Sequence, residues 1–517
     1  MRTGTSSRGD GAAPADGLDR RTIVVAGAVS LGVIMSSLDT TIVNVALDKL
    51  SSDLHAPLSA VHWVSTGYLL SLAVVIALSG WMTERFGTKR VWLASIALFA
   101  IGSALCGLAA SSAELIVFRV VQGLGAGMLL PVGITLVTRS AGPQRVGRVL
   151  SLVGVPVLLG PICGPILGGL IVDNASWHWI FFVNVPIAVA AALVATRVLR
   201  ADEGRADPGR FDWVGAALLC PGLVGIVFGL SEIETDGGVG QPIAFGPIVG
   251  GLALTALFVV RSLGAARPLI DVRLFRSRAF AAAAAATFLL GAALLGSMLI
   301  LPLYYQVDRG QNALSAGLLM APQGLGAALA LPISGRLTDR IGGGPVVLVG
   351  CVVATLATLP WVFVTSATPD AVLGGVLFVR GIGIGCSVQP SMAAAYSLLR
   401  PEQLPGATAT LNMVRQLGGS LGTALLAVAL EHHAKAVFPA QGSSAGGLLQ
   451  PLAPGARRRV AEPLAAAFGH TFVWAAGMSA VAALAALALL RAERARSRGV
   501  VASDRDVVAS RLAKDLP

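Results

Sequence analysis

Long stretches without a formal charge alternate with short charged segments along the whole chain. No Asp, Glu, Lys or Arg stands between Arg90 and Glu114, between Arg148 and Asp173, or between Arg278 and Asp308. Each gap exceeds the roughly 20 apolar residues that a bilayer-crossing helix needs. The pattern predicts helices near 22–47, 58–82, 91–110, 114–138, 149–171 and 179–199. A second run is predicted near 213–231, 243–262, 279–303, 313–335, 345–366, 371–398, 406–430 and 465–490. That makes fourteen spans. Twelve is the alternative, because Pro221 and the Gly/Pro-rich 237–247 stretch could mark kinks in the pair at 213–262.

The charges favour an even count. With both termini on the cytoplasmic side, most of the 38 Lys and Arg fall in cytoplasmic segments. Arg457, Arg458 and Arg459 are the main exception, and they share one long outer loop, which escapes the positive-inside rule. The net charge of +11 therefore reads as orientation plus attraction to anionic lipid, and not as affinity for nucleic acid. Composition agrees: 55% of residues are hydrophobic and 13% charged, against about 25% charged in soluble domains. A mean hydropathy of +0.77 completes the exclusion of a soluble enzyme or a disordered protein. No cleavable signal peptide is evident, since the first apolar segment carries Asp39 and Asn44.

Four formal charges remain inside helices: Asp39, Arg119, Arg380 and Arg415. Each costs at least about 2.5–3.5 kcal/mol to bury on insertion scales. Arg119 lies about one turn into its span, where snorkelling to the interface is a tenable alternative. Asp39 sits mid-span with a side chain too short to reach water, so it is expected to line an internal cavity and to titrate. Its proton occupancy depends on the balance between burial and any neighbouring cation.

Glycine and proline supply the densest pattern. Gly160, Gly164 and Gly168 recur every fourth residue, with Pro161, Pro165 and Gly169 beside them. Such a stripe lets two membrane helices approach closely, and the prolines bend the helix. Elsewhere Gly80, Glu84, Arg85, Gly87, Lys89 and Arg90 form a loop whose spacing recurs at Gly335, Asp339, Arg340 and Gly342. Gly-rich helices follow both, at Gly123–Gly127 and Gly381–Gly385. The two copies lie roughly 255 residues apart, an internal repeat of the kind many transporters are built from. The plan is six spans, two extra, then six: a tail at 1–21, a half at 22–200, an extra pair at 201–265, a half at 266–491 and a tail at 492–517. The last tail is charged and suits a short surface helix.

No Walker-type loop, HExxH or GxSxG occurs, so neither an enzyme nor a cofactor is expected. The five cysteines lie in apolar runs and read as buried hydrophobes. The six histidines fall in external segments or at helix ends, and no metal site is expected, His432 and His433 included.

These residues resemble the major facilitator superfamily, specifically its fourteen-span drug:proton antiporters. Ser37-Leu38-Asp39-Thr40-Thr41 is similar to that branch's first-span signature, and Gly80 to Arg90 to the superfamily loop between spans 2 and 3. Phe118-Arg119 through Gln122-Gly123 resembles the span-4 motif, Gly160-Pro161 through Gly168-Gly169 the span-5 antiporter motif, and Trp177 through Asn184-Val-Pro186 the start of span 6. Two departures stand out. Glu84 replaces the usual Asp, and the second copy of the loop has Gly343-Gly344-Pro345 in place of its basic pair, so no equal gating role is given to Asp339.

The resemblance implies an all-α integral membrane protein of the major facilitator fold, a monomer in a bacterial-type cell membrane with both termini cytoplasmic. It implies that Asp39 couples to protons with Arg119 as tuner or relay. It further implies that the Glu84–Arg90 loop holds the cytoplasmic side shut and that the span-5 stripe prevents proton leak. The partners expected are protons, lipid and drug-like lipophilic or cationic compounds. A dedicated exporter of one endogenous metabolite is compatible, whereas a symporter should lack the Gly-Pro repeat. An ATP-driven permease would not need Asp39.

Overall fold

A computed structural model describes residues 19–199, 211–236, 242–397, 399–435 and 454–514. Among these there is no β-strand. The first half runs α1 (Arg20–Ile42), α2 (Leu58–Phe86), α3 (Thr88–Cys106), α4 (Ser112–Ala141), α5 (Val146–Asn174) and α6 (His178–Val198). An extra pair follows, α7 (Trp213–Asp236) and α8 (Pro242–Gly264). The second half runs α9 (Arg278–Leu303), α10 (Ala313–Ile341), α11 (Gly343–Val362), α12 (Asp370–Tyr396), α13 (Leu404–Lys435) and α14 (Pro454–Lys514).

Among the described residues 13 helices are long and apolar enough to cross a membrane. The 29-residue α5 brings the set to fourteen. The disputed pair is therefore two helices; Pro221 and Pro247 lie inside them without ending them. Beyond 491 the expected short surface helix is a continuation of α14 itself. Residues 1–18, most of the 200–210 linker region and 436–453 of the outer loop lie outside the described residues.

Helices are the economical answer for this sequence because every backbone polar group is satisfied within its own segment. Packing follows from small residues. Trp92 of α3 is fully buried, lodged between Gly32 of α1 and Gly133 of α4; a Cβ at Gly32 would stand 2.9 Å from its ring. Large apolar side chains elsewhere face outward, as on α8, where Ile243, Phe245, Leu252, Leu257 and Val260 are exposed.

The two halves meet along two seams. One joins α2 to α13, where a Cβ at Gly80 would stand 3.2 Å from the Gly406 Cα. The other joins α5 to α10, where a Cβ at Gly147 would stand 2.6 Å from the Gly335 carbonyl. Thr135 of α4 and Thr408 of α13 share a hydrogen bond of 3.0 Å between them. All these approaches lie at the end of the bundle from which α1 and α9 start. Along the α2–α13 seam α7 fills the flank: Leu219 and Leu223 pack with Ala77 of α2, and Ile226 and Leu230 with Ala424 of α13.

Candidate functional site

Asp39 lies in the last turn of α1 and has no exposed surface. Its Oδ2 accepts a hydrogen bond from Arg119 Nη1 at 2.6 Å. Its Oδ1 accepts from Gln122 Nε2 at 2.8 Å and from Asn184 Nδ2 at 3.1 Å. Three helices thus converge on one carboxylate: α1 brings the acid, α4 the cation and an amide, α6 a second amide. Arg119 and Gln122 share a face of α4 because they are three residues apart.

The surrounding shell fixes these groups. Arg119 also donates from Nη1 to Gln122 Oε1 at 2.8 Å and from Nε to the Val64 carbonyl at 3.3 Å, and its guanidinium lies 4.0 Å from the Tyr68 ring centroid. Asn184 also donates to Ser103 Oγ at 3.2 Å, which in turn donates to the Phe181 carbonyl at 2.8 Å. With both ionised groups desolvated, the pair is tolerable only because so many donors and acceptors are matched. Arg119 therefore does not snorkel: it is 1% exposed and spends its charge on Asp39. Counting turns along one helix missed this because the neighbouring helices, not the helix end, decide the depth.

The span-5 stripe lies directly behind Asp39. A side chain at Gly160 would collide with Ser37, and one at Gly164 with Thr41. Ser37 Oγ donates to the Val157 carbonyl at 3.1 Å and Thr41 Oγ1 to the Gly160 carbonyl at 3.4 Å. Gly168 continues the contact against Ile42. Gly169 does not belong to it, since a Cβ there would meet nothing within 4 Å. The side chains of Pro161 and Pro165 lie outside the described residues.

At the opposite end, the Gly80–Arg90 loop sits at the closed end of the seams. Gly87 has φ +86°, which closes α2 and opens α3. Lys89 Nζ donates to the carbonyls of Thr196 and Leu199 at the end of α6. Glu84 is half-buried and Arg85 and Arg90 are exposed. The second-half copy does more than the sequence suggested. Asp339 of α10 accepts from the backbone N–H of Gly147 at 2.8 Å and of Arg148 at 3.2 Å, and pairs with Arg148 Nε at 3.4 Å. It caps the first turn of α5 across the seam, where a carboxylate complements the exposed N–H groups and helix dipole. That needs backbone donors on the partner helix, not a basic pair in its own loop.

Sequence reasoning also missed Gln122 and Asn184 as partners of Asp39; their signal was a polar amide in an apolar run. Nor is Asp39 the single deeply buried acid: Glu431 is 3% exposed and Asp308 4%, both near helix ends.

Comparison with known proteins places this geometry. The Major Facilitator Superfamily model matches residues 29–423. A "Multidrug resistance protein B homolog" of Mycobacterium tuberculosis is 41% identical over 420 residues, covering 81% of this chain and 78% of that protein. The "Multidrug export protein EmrB" of Escherichia coli is 34% identical over 412 residues, covering 78% and 79%. The crystal structure of the human organic anion transporter MFSD10 superposes with a TM-score of 0.59 at 15% identity, covering 90% of this chain and 99% of that one; this last likeness speaks for the fold alone.

Proposed function

We propose that this chain, which belongs to the Major Facilitator Superfamily and to its drug efflux family, is a proton-driven antiporter exporting lipophilic drug-like compounds from the cytoplasm or inner leaflet. The observation that carries the reading is the Asp39 carboxylate, wholly buried in a bundle and held by Arg119, Gln122 and Asn184. A group so enclosed changes its proton only when the helices around it move.

In this reading the closed end of the two seams is cytoplasmic, and the described conformer is shut on that side. Proton arrival from outside neutralises Asp39 and releases Arg119 from its counter-charge. The α1–α4–α6 contact then loosens, and the halves rock to open the cytoplasmic side. There the proton leaves, substrate enters, and the re-formed pair favours the return. The α5 stripe presses on α1 beside Asp39 and keeps water from bypassing the cycle. Asp339 on the first turn of α5 and Gly80 against Gly406 hold the cytoplasmic seams shut. One proton moving through 100 mV supplies about 2.3 kcal/mol, enough to sustain outward accumulation. Each chain holds both halves, so a monomer in the cell membrane, termini inside, is sufficient.

The test is export against a concentration gradient by the full chain in proteoliposomes with an imposed pH gradient. Export should stop when an uncoupler dissipates that gradient. Uphill export that survives the uncoupler and follows added ATP would replace this reading.

A further inference from the structure

Two intramembrane charges, Arg380 and Arg415, have no part in the Asp39 cluster, and both lie in the second half. The step along the chain that carries the start of α1 onto the start of α9 carries Asp39 onto Ser297 and Gln122 onto Arg380. The second half thus has a cation where the first has an amide, and a hydroxyl where the first has the acid. Arg380 is buried and donates only to neutral acceptors: Ser297 Oγ at 2.6 Å, Gln323 Oε1 at 2.6 Å and Thr358 Oγ1 at 3.2 Å.

Arg415 is less satisfied still. Its Nε is buried without an acceptor, and among the described residues no hydrogen bond or ion pair reaches its guanidinium. Its ionisable neighbour is Tyr396, whose buried hydroxyl also lacks a partner. Yet the Arg415 side chain is only half-buried. The helix explains why. Thr408, Asn412 and Arg415 follow at i, i+4 and i+7, one face of α13, and Thr408 on that face bonds Thr135 of the other half. That face therefore looks across the seam. Thr408 and Asn412 are buried, and accessible surface reappears at Arg415, about 10 Å further along the axis. Arg415 stands on the floor of the space between the halves, beside the unpartnered Asn412 Oδ1, with its stem 3.3 Å from where a Gly291 Cβ would lie.

An unpaired cation at this depth is costly, and a ligand of opposite charge would offset that cost. We propose that the Arg415 guanidinium anchors an acidic group, a carboxylate or an acidic phenol, on the apolar compounds the protein exports. The proposal rests on the exporter reading and narrows its substrate class. It also removes cations from the expected substrates, because the one acid of the Asp39 cluster already has three donors. A planar guanidinium with free N–H groups suits a carboxylate's two oxygens, and the apolar floor accepts the rest of the molecule.

The test measures binding of pyrenebutyrate, its neutral methyl ester and tetraphenylphosphonium to the purified full chain in an uncharged detergent. The acid should bind about tenfold or more tightly than the ester, the lower end for a charge-assisted hydrogen bond. Arg415→Gln should erase that difference and leave the ester's affinity unchanged, and Arg415→Lys should keep part of it. Equal binding of acid and ester by the wild type overturns the proposal without any variant; so does an acid preference that survives Arg415→Gln. Titration with phosphatidylglycerol separates a lipid headgroup from the compound: lipid that saturates Arg415 while acid and ester bind alike also overturns it. Proton-driven export of the same three probes is scored separately. Export of the ester or the cation without an acid preference leaves the antiporter reading standing and the Arg415 proposal refuted.

Discussion

Replacing Asp39 by Asn keeps the shape of the side chain and removes its charge and its titration. The geometry sets the cost. If the new amide oxygen faces Arg119, its NH2 points toward Gln122 Nε2 and Asn184 Nδ2, which are both donors. Turning Gln122 over to accept sacrifices the bond its Oε1 takes from Arg119. One buried donor is therefore left unpaired, worth about 1–3 kcal/mol. Arg119 loses its counter-charge but keeps a neutral acceptor, so the total should stay below the about 3–5 kcal/mol of a buried pair broken outright. The variant should insert and fold with a lowered thermal midpoint in detergent. In proteoliposomes its gradient-driven export should fall to the protein-free background, while downhill movement of the same compound persists. Uphill export at the wild-type rate would refute the coupling role, and an unchanged midpoint would refute the ion pair.

Three further outcomes follow from the packing and the charges. Gly164→Leu should abolish export and lower the yield of folded protein, because the new side chain collides with Thr41, whereas Gly169→Ala should behave as wild type in the same export assay. Asp212 caps α7 through Gly215, accepts from the Leu269 N–H and pairs with Arg261. Burial works against its charge but is outweighed by Arg261 and those two N–H groups, which hold its carboxyl below the ordinary range. A depressed acid contributes stability above the unfolded-state value of about 3.9 and loses it as pH falls through the folded one. Asp212→Asn should therefore melt earlier than wild type at neutral pH and converge with it in strong acid, a difference that circular dichroism melts would read. Finally, Asp339→Ala should loosen the cytoplasmic seam. A cysteine placed at the buried Ser151 should then react faster with an impermeant maleimide applied from that side; unchanged labelling would count against the cap.

Much of the fold was legible because lipid leaves the sequence few choices: helices must be long, apolar and internally hydrogen-bonded. Asp39 was legible for the same reason, as a charge where none belongs. Its partners were not. Gln122 and Asn184 are neutral amides, and nothing in their own helices says that α4 and α6 aim them at the same point. The depth of Arg119 and the cap made by Asp339 depend on what a neighbouring helix supplies, in the latter case backbone N–H groups that every sequence has. Gly169 extends a pattern past the place where α1 ends, so the letters continue after the contact has stopped.

The extra pair α7–α8 has a consequence for the route a lipophilic molecule takes. Because α7 packs on both α2 and α13, it forms a wall along one flank of the joint between the halves, with α8 as its outer facing. A compound sliding in from the inner leaflet finds that flank boarded over whichever way the halves tilt. The open side is the flank of α5 and α10, where the single carboxylate of Asp339 stands as the latch. In a twelve-helix relative a lateral door on either side is available; here the membrane has one entrance.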